Sequence, residues 1–370
     1  MLEMENSERY FEGSHPGLKQ RLEEHFSRTS ESFASRGISG ALVLGGGYGR
    51  GEGGVMESPG GVEFSNDLDY FLFNDAPDDA ALLAWCREIE KTESALLGID
   101  VEIKTLRAES IGDPSRSMMF ADLVAGHVVV AGNAGFLQKM RDSLDFSRIE
   151  PEEATRLLWN RGSGMFFSRC RMGEGGDKKF VIRNHAKLKL ALGDAWLCLH
   201  GAYTSKCRER GERLAKTELP ANLAAIRAWH REGVDFKFKP FADGMTWEEL
   251  DSESGKLIEA WGVVYLAAET KRLKRNFSGF SEYLAVSRLL PGGHLKNLVL
   301  ALRDRLRRGA SLKPLGDYPR AALMRALPCL LGLTSGGEAE AARFLPKPEG
   351  DPSRFRAWEP VYSKWWTYYA

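Results

Sequence analysis

The stretch Leu44-Gly45-Gly46-Gly47-Tyr48-Gly49-Arg50-Gly51-Glu52-Gly53 follows a short apolar run at residues 38–44, and about twenty residues later comes Asn66-Asp67-Leu68-Asp69. Glycines after a strand let backbone amides approach a phosphate closely. The spacing is not that of a dinucleotide fingerprint: counted from Gly45 the sixth position is Arg50, and counted from Gly47 it is Glu52, where glycine is required. No Gly-Lys-Ser/Thr follows, so a P-loop is excluded as well. Asp67 and Asp69 are one residue apart on a strand expected over 64–73 and would project to one face. Like charges held that close repel, and are tolerated in water or beside cations; paired carboxylate oxygens suit Mg²⁺ or Mn²⁺. Residues 99–106 alternate strictly, with Ile99, Val101 and Ile103 on one face and Asp100, Glu102 and Lys104 on the other. That strand supplies a third acid, either Asp100 or Glu102. Three carboxylates from two strands beside a glycine turn make the layout of a two-metal phosphoryl-transfer site.

Working outward, residues 17–36 read as an amphipathic helix ended by Gly37, and residues 78–97 as a second helix. After Pro114 a helical stretch leads to the short strand of His127-Val128-Val129-Val130. Strand signals fade by residue 145. Beyond it, helical periodicity runs over 152–170, 180–200, 205–216, 247–273, 293–308 and 318–333. The expected fold is α/β of the α+β kind: a small mixed-sheet domain at 1–145, then an α-helical domain at 146–370. The aromatic tail at 358–369 reads as a packed terminal segment, with a partner surface as the alternative.

With 370 residues, 43% hydrophobic and 28% charged, the chain can bury a sizeable core, and neither a mini-protein nor general disorder fits. Its net charge of zero hides a division: residues 1–150 carry 26 Asp+Glu against 14 Lys+Arg, or −12, leaving 25 against 37, or +12, for residues 151–370. Metals on the acidic part and an anionic ligand gripped by the basic part would explain it, as would incidental surface composition. The acidic, polar start is unlike a signal peptide, and no apolar run reaches the roughly 18 residues of a membrane span, so no membrane association is expected. Five cysteines without a Cys-x-x-Cys pair fit neither a disulfide framework nor a zinc site and point to a reducing cytoplasm. His-Glu-x-x-His and Gly-x-Ser-x-Gly are both absent, which removes zincin and acyl-transfer chemistry.

The ordered set Gly46-Gly47, Arg50-Gly51, Asp67-Leu68-Asp69 and Asp100 resembles the polymerase-beta-like nucleotidyltransferase superfamily, over roughly residues 17–135. Asp122 to Val130 looks like that family's closing helix-to-strand step. The resemblance implies a metal-dependent transfer of a nucleoside monophosphate from a nucleoside triphosphate to an acceptor hydroxyl, with release of pyrophosphate. Asp67, Asp69 and Asp100 would be the catalytic, metal-holding carboxylates, with Asp100 preferred to Glu102 on its apolar flanks. Gly46 and Gly47 would hold phosphates through backbone amides. Many members carry serine where this chain has Gly47, which shifts weight to Arg50. A lysine on the following helices would reach the triphosphate, and Lys187 is the candidate; the cluster Lys206, Arg208, Arg210 and Arg213 could meet an anionic acceptor. The acceptor is expected to be a small molecule or a protein, with RNA as an alternative; a catalytically silent nucleotide-binding regulator is a further one.

Overall fold

The computed structural model describes residues 10–369 apart from 59–60, 174, 242–243, 288, 290–294, 296–297, 300–301, 304–305 and 307–318. In chain order it runs α1 (Pro16–Ser35), β1 (Ala41–Leu44), α2 (Gly46–Gly49), β2 (Val55–Ser58), β3 (Gly61–Phe64), β4 (Leu68–Phe73), α3 (Ala80–Leu97), β5 (Val101–Leu106), α4 (Met118–Ala125), β6 (Val128–Gly132) and α5 (Gly135–Arg141). Then come α6 (Pro151–Cys170), α7 (Lys178–Leu199), α8 (Cys207–Lys216), α9 (Ile226–Phe238), α10 (Trp247–Leu273) and α11 (Phe280–Leu284), with later helices at Pro319–Leu330 and Glu359–Tyr369. The helix expected over 293–308 falls largely outside the described residues.

Two compact units form, and the chain visits the first one three times. That unit comprises Met1–Glu150, His200–Glu218 and His230–Phe241; the second comprises Pro151–Leu199, Leu219–Trp229 and Ala242–Ala370. Fold class is thus mixed, a small sheet with a large complement of helices.

The sheet of the first unit has the order β5-β4-β1-β6, with β4 and β5 parallel and β1 antiparallel to both β4 and β6. Its two faces are each covered, as the sequence of β4 requires: Leu68-Asp69-Tyr70-Phe71-Leu72-Phe73 is apolar at every position except Asp69 and buries all five others. On one side Leu42, Leu44, Tyr70, Leu72, Val101 and Ile103 pack with α1 and α3 through Leu22, Phe33, Trp85 and Ile89. On the other, Val43, Phe71 and Phe73 pack with Leu123 and Val124 of α4 and Leu137 of α5. Asp79 caps α3 by accepting from the Leu82 amide at 2.8 Å, and Gly98 ends it at φ 76°.

The strand expected over 64–73 is broken at 65–67. Asn66 leaves the ladder because its side-chain oxygen accepts from the Gly54 amide, while the Ser65 amide donates to the Gly54 carbonyl. Those bonds fold the β2-β3 hairpin back on the glycine segment and leave Asp67 just ahead of β4.

Beneath the sheet lies a buried polar chain. His25 of α1 sets its Nδ1 2.8 Å from Glu93 Oε2 and its Nε2 2.7 Å from the Tyr70 hydroxyl. Burial holds the His25 pKa below 6.5, against the pull of Glu93. The unfolded chain therefore takes up a proton first as pH falls, and stability is lost below the unfolded value of about 6.5 until the folded ring titrates, by at most about 1.4 kcal/mol per pH unit. His25→Gln, which keeps a neutral donor and acceptor, is expected to flatten that slope in urea melts between pH 7 and 5. An unchanged slope would remove His25 as its source.

In the second unit, α6, α7 and α10 pack as a bundle. Gly162 of α6 has no room for a side chain, since a Cβ there would meet Trp261 Cε2 of α10 at 2.7 Å, and the Trp261 indole donates to the Leu158 carbonyl. The helix Glu359–Tyr369 buries Tyr362, Trp365 and Tyr369, and the Tyr362 hydroxyl pairs with Ser163 at 2.8 Å. The aromatic tail is thus core in this unit. Among the described residues no helix is long and apolar enough to cross a membrane, and the five cysteines are buried and form no disulfide.

Candidate active site

Asp69 is the acidic residue that the fold places inside a covered strand, and the glycine segment is shaped around it. The Gly45 amide donates to the Asp69 carbonyl at 2.8 Å. Gly46 follows in the left-handed region at φ 60°, and a Cβ there would stand 2.5 Å from Asp69 Oδ2. A Cβ at Gly45 would meet the Phe71 ring at 2.8 Å. Both glycines are therefore fixed by the approach of the segment to β4. The segment itself is a single helical turn, α2, closed by the Arg50 and Glu52 amides, which donate to the Gly47 carbonyl. Tyr48 anchors it from below, its hydroxyl donating to the Gly54 carbonyl at 2.7 Å.

Around Asp69 stand the other acids. The parallel register sets Glu102 directly across from Asp69, and Lys104 across from Phe71. Paired residues on neighbouring strands lie about 4.8 Å apart and share a face. Asp100 falls ahead of β5, where its carbonyl accepts from the Leu68 amide. Burial raises the Asp69 pKa; Asp67 and Glu102 push in the same direction, and Lys104, then Arg50, oppose them. Asp67, Asp100 and Glu102 are exposed. The structure thus brings Asp67, Asp69 and Glu102 into mutual influence. The donor set is all oxygen, with Glu102 set across from Asp69 by the strand register, and oxygen donors of this kind suit Mg²⁺ or Mn²⁺. Among the described residues, no three such side chains are already gathered in ligating positions.

Arg50 lies in a different environment from the one the resemblance implies. Its Nη1 is 3.1 Å from Asp122 Oδ2 of α4 and its Nε 3.7 Å from Glu52 Oε2. The two returning segments complete this cluster. Lys237 Nζ of α9 donates to Glu52 Oε2 at 3.0 Å and to Cys207 Sγ at 2.8 Å. The Cys207 amide donates to Glu52 Oε1 at 2.8 Å. Tyr203 donates to Asp122 Oδ2 at 3.2 Å and accepts from Arg210, which also donates to Cys207 Sγ. Lys206 Nζ donates to the Arg50 carbonyl. Burial would raise the Glu52 pKa, but Lys237 and Arg50, with the Cys207 amide, draw it down to about 2.

Lys187 belongs to the second unit, half-buried on α7. Within the first unit, the cations gathered at the glycine segment are Arg50, Lys206 and Lys237. Sequence reading missed Glu52, Lys237 and Cys207 as a group, and nothing local marks them; a glutamate inside a glycine run was the one visible oddity. Arg208, read as able to meet an acceptor, pairs with Glu12, and Arg213 with Glu209. No protein-family model and no curated protein matches this chain.

Proposed function

We propose that the first unit is a metal-dependent nucleotidyltransferase of the polymerase-beta-like kind, moving a nucleoside monophosphate from a nucleoside triphosphate to an acceptor hydroxyl. The observation that carries this reading is the acid of the covered strand, Asp69, seated against Gly46 with Asp67 and Glu102 around it. A burial-disfavoured carboxylate beside two others is relieved by a bound cation, and the adjoining glycine turn is an element that can take phosphate through backbone amides.

Mg²⁺ or Mn²⁺ held there supplies charge against the polyphosphate and lowers the pKa of the acceptor hydroxyl. The protein's part is to orient. Asp69 and Asp67 hold the site from β4, and Glu102 supplies the third carboxylate from β5 in place of the Asp100 that sequence favours. Gly46 and Gly47 offer backbone without side chains at the phosphates. Arg50 braces the glycine segment through Asp122 and Glu52. The acceptor oxygen attacks the α-phosphorus, the bond to pyrophosphate breaks, and the acceptor's proton passes to Glu102. A small molecule or a protein side chain is the proposed acceptor, with RNA as the alternative.

The test is incubation with each labelled nucleoside triphosphate, Mg²⁺ or Mn²⁺ and cell extract. Label is expected in a small-molecule or protein fraction; label in RNA would change the acceptor, and nucleotide binding without any transfer would make the protein a silent regulator. In the same assay Glu102→Gln is expected to lower transfer by at least about a hundredfold, and Asp100→Asn by less than about tenfold, on the scale of single electrostatic groups in active sites. The reverse ranking would return the third role to Asp100.

A further inference from the structure

Lys104 is the one side chain on the outward face of β5 that carries positive charge, and the proposed metal site has no use for it. It stands two residues beyond Glu102 on the same face, and its register partner Phe71 stands two beyond Asp69. The Lys104 ammonium lies 5.9 Å from the Phe71 ring centroid. That ring in turn lies where a side chain on Gly45 would be. The ammonium thus lies on the carboxylate face, beside the start of the glycine segment, near a ring the glycine makes room for. Arg50, the other cation that influences Asp69, is engaged with Asp122 and Glu52. Lys237 and Lys206 are turned to Glu52, Cys207 and the Arg50 carbonyl.

Resting on the reading of Asp67, Asp69 and Glu102 as a divalent-cation site, we infer that Lys104 is its resident counter-ion, offsetting the carboxylates when the metal is absent and competing with it for them. A flexible, exposed ammonium can serve this purpose because it withdraws along its four-carbon stem without disturbing the strand. The physical consequence is a lowered metal affinity. Side chains two residues apart on one strand face are rooted about 6–7 Å apart, and removing one positive charge at about that separation from a divalent ion changes affinity roughly tenfold in a water-like dielectric at low salt, and by less as salt screens it.

The experiment titrates Mn²⁺ into the full chain, with the free ion read by paramagnetic resonance, for wild type, Lys104→Met, Lys104→Arg and Asp69→Asn. Expected are a Lys104→Met affinity about tenfold tighter than wild type, converging on it as salt is raised, a Lys104→Arg affinity like wild type, and loss of the site in Asp69→Asn. Melting without metal should show Lys104→Met folded, with a larger Mn²⁺-induced rise in midpoint than wild type. Unchanged or weaker Mn²⁺ binding by Lys104→Met, with Asp69→Asn still abolishing it, would overturn the counter-ion role and leave the metal site standing. Mn²⁺ binding that survives Asp69→Asn would overturn the site itself, and the counter-ion with it.

Discussion

Asp69→Asn is expected to abolish nucleotide transfer while leaving the fold intact. Its loss should exceed the roughly 10²–10³-fold that one electrostatic donor is worth in an active site, because both the charge that holds the cation and the geometry it imposes are removed together. The same change relieves the unfolded-to-folded cost of a carboxylate whose pKa is raised by burial and by Asp67 and Glu102. Metal-free stability should therefore hold steady or rise near pH 7, which separates this variant from one that merely misfolds. Circular dichroism melts alongside the transfer assay check both halves. Near-normal transfer by Asp69→Asn would refute the two-metal reading.

Glu52→Gln is expected to destabilise the first unit by about 3–5 kcal/mol. The Glu52 carboxylate is buried and takes Lys237 on one oxygen and the Cys207 amide on the other, with Arg50 close by. Removing one partner of a buried ion pair leaves uncompensated charge and costs about 3–5 kcal/mol. An amide keeps the shape and one acceptor, so the loss reports the charge. The sign with pH follows from a folded pKa of about 2 against an ordinary value of 4.5. The group's contribution is complete above about pH 4.5 and is lost as pH falls from there towards 2. Urea unfolding of wild type should weaken through that window, and Glu52→Gln should lack this part of the weakening. A loss under about 1 kcal/mol would show the cluster to be open to water, as surface pairs are.

What could be read in the sequence divides by how local its cause is. β5 was legible because Val101-Glu102-Ile103-Lys104 has one buried face and one exposed face, and strict alternation records that directly. α10 was legible at both ends; its start carries Thr246 and Glu249, which form a reciprocal cap with bonds of 3.2 and 2.8 Å. Strand β4 was read too long because Asn66 has the same polarity whether it sits in a ladder or, as here, turns to bond Gly54. The candidate site was half legible: the aspartates and glycines lie in one stretch, but the choice between Asp100 and Glu102 depends on register, which sequence alternation leaves open. Arg50, Asp122, Tyr203, Cys207, Arg210 and Lys237 share no periodicity, since their pairing depends on charges distant in the chain meeting in a folded interior.

That the first unit is assembled from three separated stretches sets the timetable of its birth on the ribosome. When Glu150 leaves the exit tunnel, the sheet, Asp69 and the glycine segment are all available, yet Glu52 still lacks Cys207 and Lys237. At roughly 5–20 residues per second the last stretch, ending at Phe241, emerges about 5–20 s later. For that interval the Glu52 carboxylate, where the domain's interior will be, has Arg50 beside it but lacks Lys237 and the Cys207 amide. A stalled or truncated product ending between the two stretches should be held by chaperones and cut readily by proteases, and a pulse-labelled chain should gain protease resistance only after residue 241 has been made.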